Sequence, residues 1–237
     1  MIKLVTILKG NDSLTRAEFE RRWAEIHAPM AAKFPDLRGY MLSFSIAPGD
    51  PDAEGVAQLW FDSREGAQTS YASDVGRVGS ADAIAYLGRR DHLLASERWL
   101  RDSASLADRP FKLMLGVKRA EGESRADFID WWNAIDADTV AASTGADQIR
   151  LAMDEAGQLL NSGTAGNLGL RTGEAVYDGL LETWFPTRPA AEAGAARFDL
   201  SDLKKDLMAR AARTEDFLLR ETVIVRPPAP AFGGTGA

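Results

Sequence analysis

The residues able to do chemistry in this chain are few. The 237 residues contain two histidines and no cysteine, which excludes disulfides, thiol catalysis and thiolate metal sites. His27 follows Ile26 on an apolar helical stripe. Because an imidazole titrates near neutral pH without help from its surroundings, its place on such a face needs a reason. It is either a core histidine bonded to a backbone carbonyl or a group that binds or exchanges protons with a ligand.

The motifs of cofactor-dependent enzymes are missing from the sequence. It has no Gly-rich phosphate loop, no cluster with metal-ligand spacing and no nucleophile elbow. A lone imidazole in a dry pocket can still move a proton to or from a carbon or oxygen acid. We therefore predict proton transfer without a cofactor or metal, leading to isomerisation, elimination or C–C cleavage. A substrate anion formed in this way can instead react directly with oxygen, as in a cofactor-free monooxygenase.

Several other side chains are candidates for the same pocket. Tyr40 can offer a phenol to a substrate oxygen, and Arg38 can pair with a substrate carboxylate or cap the preceding helix. Aromatic side chains suit the wall of a site for a planar ligand, and the candidates are Trp23, Trp60 and Phe61. The second histidine, His92, lies in a run of charged residues, which makes it a weaker candidate. Tyr71 and Tyr86 rank lower still.

The helix that positions the first histidine is predicted to run from Thr15 to Phe34. Thr15 and Glu18 form a capping-box pattern that places its start, and Pro35 follows its end. Apolar residues recur at intervals of three and four, which predicts one stripe packed against a sheet. That stripe consists of Phe19, Trp23, Ile26, Met30 and Phe34.

The chain aligns with itself. A shift of 109 positions superimposes the first parts of two copies, and a shift of 124 superimposes the later parts after a longer loop. The matched pairs include Lys3 with Lys112, Trp23 with Trp132, Trp60 with Trp184, and Glu97 with Glu221. Aromatic matches in a fixed order indicate an internal duplication of a unit of roughly a hundred residues.

Each copy has the pattern strand, helix, strand, strand, helix, strand. In the first copy we predict strands at 2–9, 38–46 and 56–61, a helical stretch at 63–90 broken near Gly76 and Gly79, and a last strand at 97–100. Helices on one face of such a sheet leave a bare apolar face that must be buried. The predicted fold is therefore α+β, with two βαββαβ units packed sheet against sheet as a barrel.

These units define the expected domain boundaries. Residues 1–101 form the first repeat, residues 102–110 a linker, residues 111–225 the second repeat, and residues 226–237 a Pro/Gly-rich disordered tail. The second repeat also contains a Gly-rich insertion at 154–179 that has no counterpart in the first. A loop of this length is either a functional lid or a disordered connection.

Composition limits the partners. A hydrophobic content of 45% and a charged content of 27% are typical of a globular protein. The net charge of −7 argues against nucleic acid as a partner. No apolar run is long enough to cross a bilayer, and the N-terminus reads as a strand and not as a signal peptide. We expect a cytoplasmic protein that acts on a small aromatic or apolar molecule, and a homodimer is possible.

A family resemblance rests on two consecutive motifs. They are Phe19-x-x-x-Trp23-x-x-x-His27-Ala28-Pro29 and Pro35-Asp36-Leu37-Arg38-Gly39-Tyr40. This pattern resembles the EthD family of the dimeric α/β-barrel superfamily, over nearly all of residues 2–101 and more weakly over 111–225. The resemblance implies tandem ferredoxin-like units forming a pseudo-dimeric α/β barrel within one chain, with His27 in catalysis or ligand binding.

Relatives in that superfamily include muconolactone-type isomerases, cofactor-free oxygenases, and dehydratases or decarboxylases. The resemblance therefore favours a cofactor-independent lyase or isomerase acting on an aromatic or lactone-type catabolite. The alternatives are a cofactor-free monooxygenase of aromatic or polyketide substrates and a non-catalytic small-molecule-binding protein. A further hypothesis is a haem protein with His27 as axial ligand.

The two copies differ at the histidine, because His27 aligns with Asp136. Asp136 is either the acid or base of an altered second site or a sign that the second copy serves as scaffold, and we favour scaffold. An aspartate on an apolar stripe is costly unless it is hydrogen-bonded. We expect a partner such as Arg150 or a helix terminus to satisfy it.

Overall fold

The computed structural model describes residues 1–102, 108–160 and 170–228. The first half of the chain supplies four strands, β1 (Ile2–Gly10), β2 (Leu37–Ser45), β3 (Gly55–Phe61) and β4 (Leu87–Asp102). The second half supplies β5 (Phe111–Arg119), β6 (Gln148–Met153), a small hairpin of β7 (Gln158–Leu160) and β8 (Leu170–Thr172), β9 (Gly179–Phe185) and β10 (Ala211–Val225).

All of these strands except the hairpin close into one barrel. The order around it is β1-β3-β2-β10-β5-β9-β6-β4, and the pairings between neighbours are antiparallel. The two halves meet along two seams, where β2 pairs with β10 and β4 pairs with β6. Each half has the same internal order of strands. The predicted α+β fold, two tandem ferredoxin-like units that form a pseudo-dimeric barrel within one chain, is confirmed.

The helices lie on the outside of the barrel. In the first half they are α1 (Arg16–Arg22), a π-helical turn (Trp23–His27), α2 (Ala28–Ala31), α3 (Arg64–Ala72) and α4 (Asp74–Tyr86). In the second half they are α5 (Arg125–Asn133), α6 (Ala137–Thr144), α7 (Arg188–Asp199) and α8 (Asp202–Arg210). Their apolar faces pack on the outer face of the sheet in two separate clusters, one for each half. None of the described helices is long and apolar enough to cross a membrane.

The first helical segment begins as predicted and then departs from the expected spacing. The Thr15 hydroxyl accepts from the Glu18 N–H, and the Glu18 carboxylate accepts from the Thr15 N–H, so the capping box is present. The amide of Ala28 donates to the carbonyl of Trp23, a π-helical bond that adds one residue to the turn. The stripe prediction is therefore wrong at Ile26, which is 40% exposed. Ala28 faces the sheet instead, because the extra residue rotates the following chain.

The break in the second helical segment was also predicted at the wrong residues. It falls at Ser73, whose hydroxyl caps α4 by accepting from the Gly76 N–H at 3.1 Å. Gly76 and Gly79 lie inside α4, where they allow close packing. A Cβ on Gly76 would stand 2.2 Å from the Ser70 carbonyl oxygen. The last strand is also longer than predicted, since β4 begins at Leu87.

The inside of the barrel is apolar only in part. One region packs Val5, Met114, Leu180 and other apolar side chains. Another holds six buried or nearly buried charges, which pair as cations and carboxylates: Lys3, Lys112, Arg150, Glu97, Glu182 and Glu221. The expectation of a wholly apolar inner face is therefore wrong, and the charges remain inside because each has a partner of opposite sign.

Three predicted segments lie only partly within the described residues. Positions 103–107 of the linker, 161–169 of the insertion and 229–237 of the tail fall outside them. The described part of the insertion includes the hairpin of β7 and β8. A role of the insertion as a lid therefore stays a prediction.

Candidate active site

A cavity lies between the outer face of the first-half sheet and the helices that cover it. Its volume is about 40 Å³, which leaves room for a few water molecules or one compact ligand. The side chains relevant to chemistry or selectivity that line it are Trp23, His27, Tyr40, Tyr71, Arg90 and His92. Both histidines of the chain thus face one space, although sequence reasoning favoured only one of them.

His27 is held in place by a carboxylate from α4. Its Nδ1 lies 3.0 Å from Asp82 Oδ2, and both side chains are about 15% exposed. The other carboxylate oxygen of Asp82, Oδ1, accepts a hydrogen bond from the Arg22 guanidinium. Since a carboxylate accepts, Nδ1 carries the proton of the neutral ring and Nε2 carries the lone pair. Burial lowers the pKa of His27, against the raising effect of Asp82, so the neutral ring is the main form at pH 7.

His92 reaches the cavity from strand β4. Its Nδ1 lies 2.9 Å from the Thr6 hydroxyl on the neighbouring strand β1. Burial lowers the pKa of His92 to about 3, and the nearby Arg90 adds to the effect. The imidazole is therefore neutral across the physiological range and serves as a hydrogen-bonding wall of the cavity.

The tyrosines of the cavity stay protonated. Burial raises the pKa of Tyr40, which is 1% exposed, and likewise that of Tyr71. A third tyrosine, Tyr86, is not part of the cavity lining, and its ring centroid lies 5.7 Å from that of His27. Its buried hydroxyl has no hydrogen-bond partner in the described part of the chain. The phenols that line the cavity, Tyr40 and Tyr71, can donate a hydrogen bond to a ligand oxygen but do not act as anions near neutral pH.

Three predicted ligand-contacting residues lie away from this cavity. Trp60 points into the barrel and donates its Nε1–H to Glu97 at 2.7 Å. Phe61 is completely buried in the core between sheet and helices. Arg38 is exposed at the surface, where it pairs with Asp62 at 2.7 Å. Of the predicted residues, the structure brings together His27, Tyr40 and Trp23.

Asp136 has a local role in the second half. It is the N-cap of α6 and accepts from the Thr139 amide at 2.8 Å and from the Thr139 hydroxyl at 2.7 Å. Of the two expected partners for Asp136, the helix terminus is the one observed. Arg150 does not contact Asp136 but pairs with Glu97 inside the barrel. The π-helical turn of the first half has no equivalent here, because the chain breaks between α5 and α6 and starts a new helix at Ala137.

Sequence reasoning missed Asp82 and Arg90. The signal for Arg90 was available, because side chains alternate along a strand and Arg90 shares the face of His92 and of the buried Leu94. Asp82 carries no comparable signal, since it contacts His27 across 55 positions of sequence. Only the packing of α4 on the π-helical turn places it there.

Two kinds of bound group, a metal ion and a haem, can be compared with the residues and the size of this cavity. No group of three or more histidine or acidic residues in the described ranges is arranged to hold a metal ion. The cavity is also much too small for a porphyrin as it stands. The hypothesis of His27 as a haem ligand does not fit these dimensions.

The comparison with known families adds to this geometry. Residues 11–87, which include the π-helical turn, β2, β3 and all of α4, match the family model of the EthD domain. The first half of the chain therefore contains the match to the EthD domain. The second half is related to it by the internal repeat and by the shared strand order. No curated protein matches the chain in sequence.

Solved structures similar to this chain fall into two groups. An EthD family protein from Bacillus halodurans is 22% identical and covers 40% of this chain and 95% of its own, with a TM-score of 0.36. An anthrone oxidase-like protein is 10% identical over 98% of this chain and 96% of its own, with a TM-score of 0.63. A proposed monooxygenase from Fusobacterium nucleatum is 10% identical over 94% of this chain and 93% of its own, with a TM-score of 0.57. The two full-length likenesses show a common fold.

Proposed function

We propose that the EthD domain is a cofactor-independent lyase or isomerase in which His27 is the general acid–base. The observation that supports this most directly is the pairing of His27 with Asp82 at the wall of a cavity. The carboxylate fixes the tautomer and the ring orientation, and it stabilises the imidazolium that forms when Nε2 takes a proton. Because the ring is neutral at pH 7, it is ready to act as a base.

The proposed substrate is a small aromatic or lactone-type compound, and its entry requires the helices over the cavity to move outward, because about 40 Å³ holds only a few water molecules. Trp23, Phe34 and Tyr71 give the cavity aromatic walls, which suit a planar ligand. In this proposal His27 removes a proton next to a carbonyl or phenol, and Tyr40 donates a hydrogen bond to the oxygen on which negative charge develops. That bond is useful because a neutral phenol stabilises an oxyanion without exchanging its own proton. The return of the proton from His27 to another atom completes an isomerisation or elimination.

A cofactor-free monooxygenase is the second candidate. It is favoured by the full-length likeness to an anthrone oxidase-like protein and to a proposed monooxygenase. The first step would be the same deprotonation by His27, followed by reaction of the substrate anion with oxygen. Oxygen consumption measured with an electrode separates the two, because a lyase or isomerase consumes none. A binding protein without activity would show neither oxygen uptake nor proton exchange.

The test is hydrogen–deuterium exchange into 2-coumaranone, an aromatic lactone with acidic C–H bonds next to its carbonyl. We expect the wild-type chain to accelerate exchange in D₂O, followed by NMR. His27→Gln should lower the catalysed rate by about 10²–10⁴-fold, the usual contribution of a general base. The rate should also fall as the pH drops through the lowered pKa of His27, because the imidazolium is not a base.

The matched control is Asp136→Ala, at the position that replaces the histidine in the second repeat. It removes an exposed helix cap outside the cavity, so exchange should be unchanged while stability falls modestly. Equal rates in the wild type and in His27→Gln would contradict the proposal, as would an absence of catalysed exchange. We also propose a cytoplasmic location, and a homodimer stays a prediction that light scattering on the purified chain can measure.

A further inference from the structure

We propose that Arg90 makes this cavity a receptor for a small organic anion, with a carboxylate or an equally acidic oxygen on the ligand. This assignment rests on the proposed function of the same cavity and names the class of substrate that it takes. It starts from the placement of the guanidinium, which lines the cavity from strand β4 together with His92. Arg89 and Asp91 point to the opposite face of the strand, where they pair with each other.

The surroundings of Arg90 are otherwise uncharged. His27 and His92 are neutral at pH 7, and the phenols of Tyr71 and Tyr86 are protonated. Arg90 is close enough to influence the titration of all four side chains. Among the described residues that line the cavity, Arg90 therefore supplies the permanent positive charge, and the others are neutral polar groups or apolar walls.

No described residue compensates that charge. Arg90 has no hydrogen bond or ion pair with any residue in 1–102, 108–160 and 170–228. The carboxylate that holds His27 and the one next to Arg90 in sequence are already paired. Asp82 is shared by Arg22 and His27, and Asp91 is bound by Arg89.

A partly buried cation without a counter-ion is unfavourable in a folded protein. Burial lowers the pKa of Arg90, because it removes water from the charged guanidinium. The group nevertheless stays charged at every physiological pH. The cost is recovered when a ligand brings the missing anion. A guanidinium suits this role because its planar fork of N–H groups matches the two oxygens of a carboxylate.

The same charge fits the chemistry of His27. A substrate whose carboxylate is held by Arg90 would be oriented with a neighbouring C–H or O–H towards the imidazole, on the other side of the cavity. Alternatively, Arg90 would stabilise the oxyanion that forms when His27 removes a proton. Both cases require a ligand that carries or develops negative charge, which an uncharged aromatic hydrocarbon does not.

The experiment compares two pairs of probes that differ in charge but hardly in shape, benzoate with benzamide and acetate with acetamide. Since both histidines line the cavity, the imidazole signals in a ¹H–¹⁵N NMR spectrum report binding there directly. We expect benzoate or acetate to shift the NMR signals of both imidazoles. The carboxylate should bind at least about tenfold more tightly than the corresponding amide. Arg90→Gln should abolish that preference by weakening the anion about tenfold, with little change for the amide.

Arg77→Gln is the matched control, because Arg77 is an exposed arginine on α4 whose partners among the described residues are Asp74 and the Ala72 carbonyl. It removes the same net charge and should leave the preference intact. Equal affinity for acid and amide in the wild-type chain, with both shifting the histidines, would overturn the role of Arg90 and leave the proposed function standing. If none of the four probes shifts an imidazole, the cavity is not a ligand site and both proposals fail.

Discussion

His27 and His92 face the same cavity, yet their partners suit them to different tasks. His27 bonds to a carboxylate, which compensates a proton gained at Nε2. His92 bonds to the Thr6 hydroxyl, which offers no charge, and Arg90 further opposes its protonation. These partners support the proposal that His27 transfers the proton, and His92 contributes polarity without charge.

This difference has a consequence for stability that can be measured. The pKa of His92 is about 3 in the folded chain and near 6.5 when unfolded, so only the unfolded chain binds this proton between those values. The contribution of His92 to stability is complete above pH 6.5 and is lost as the pH falls. The slope approaches about 1.4 kcal/mol per pH unit.

Urea unfolding of the wild type and of His92→Gln at pH 7.5 and pH 5.5 isolates this contribution. We expect the wild type to lose about 1 kcal/mol more than the variant between these two pH values, because the other titrating groups are common to both chains. A difference between the two chains that does not vary with pH would show that His92 titrates normally in the folded state.

At the scale of elements, the π-helical turn and the strand beneath it form the wall of the cavity. Gly55 on β3 makes the close approach possible, because a Cβ there would lie 2.3 Å from the Trp23 ring. Gly179 is its counterpart in the second repeat, where a Cβ would lie 2.8 Å from Trp132. Both tryptophans are completely buried and cannot move aside without cost.

We expect Gly55→Ala and Gly179→Ala each to lower the free energy of unfolding by about 1–3 kcal/mol, as is usual when a packed core is overfilled. Only Gly55→Ala should also shift the imidazole NMR signals, because only Trp23 lines the cavity of the histidines. The control is Gly66→Ala on α3, where the nearest atom is 3.7 Å away. It should be neutral or stabilising by up to about 1 kcal/mol. Unchanged stability in Gly55→Ala would mean that Trp23 has room to shift.

These elements also show what the sequence can predict. The capping box located the start of α1, because it depends on residues three positions apart. The apolar spacing predicted a helix but not the π-helical turn. One extra residue in a turn changes which side chains are buried, and the amino-acid composition of the segment gives no sign of it. The site was predicted in part for a similar reason. His27, Tyr40 and Trp23 lie on nearby elements, whereas Asp82 joins them only through the packing of α4.

For the whole molecule, the duplication predicted the barrel but not the charge inside it. The repeat alignment already matched Lys3 with Lys112 and Glu97 with Glu221, and the structure shows why both copies have them. Each lysine contacts the glutamate of its own repeat, at 3.0 Å for Lys3 and 2.5 Å for Lys112, and both contact Glu182. The repeats are thus joined by ion pairs as well as by two strand seams.

The symmetry of this cluster is broken at its centre. Glu182 aligns with Gln58, and the two side chains are hydrogen-bonded at 2.7 Å. Arg150 supplies the extra positive charge, 2.9 Å from Glu182, and its guanidinium carbon lies 4.9 Å from the Trp99 ring centroid and 4.8 Å from that of Trp184. Burial opposes ionisation of Glu182, but the cations around it hold its pKa well below the usual range. The three cations and three carboxylates therefore balance inside the barrel.

Glu182→Gln should consequently be much more damaging than its small change in shape suggests. It leaves a buried excess of positive charge, and breaking a buried ion pair from one side typically costs about 3–5 kcal/mol. We expect a loss of this size in the free energy of unfolding, measured with urea and followed by tryptophan fluorescence.

Lys112→Met combined with Glu182→Gln restores the balance of charge and should recover part of the loss. Glu192→Gln, which breaks the exposed pair with Arg188 on α7, should cost well under about 1 kcal/mol. If Glu182→Gln is no worse than Glu192→Gln, the charges inside the barrel do not hold the two repeats together.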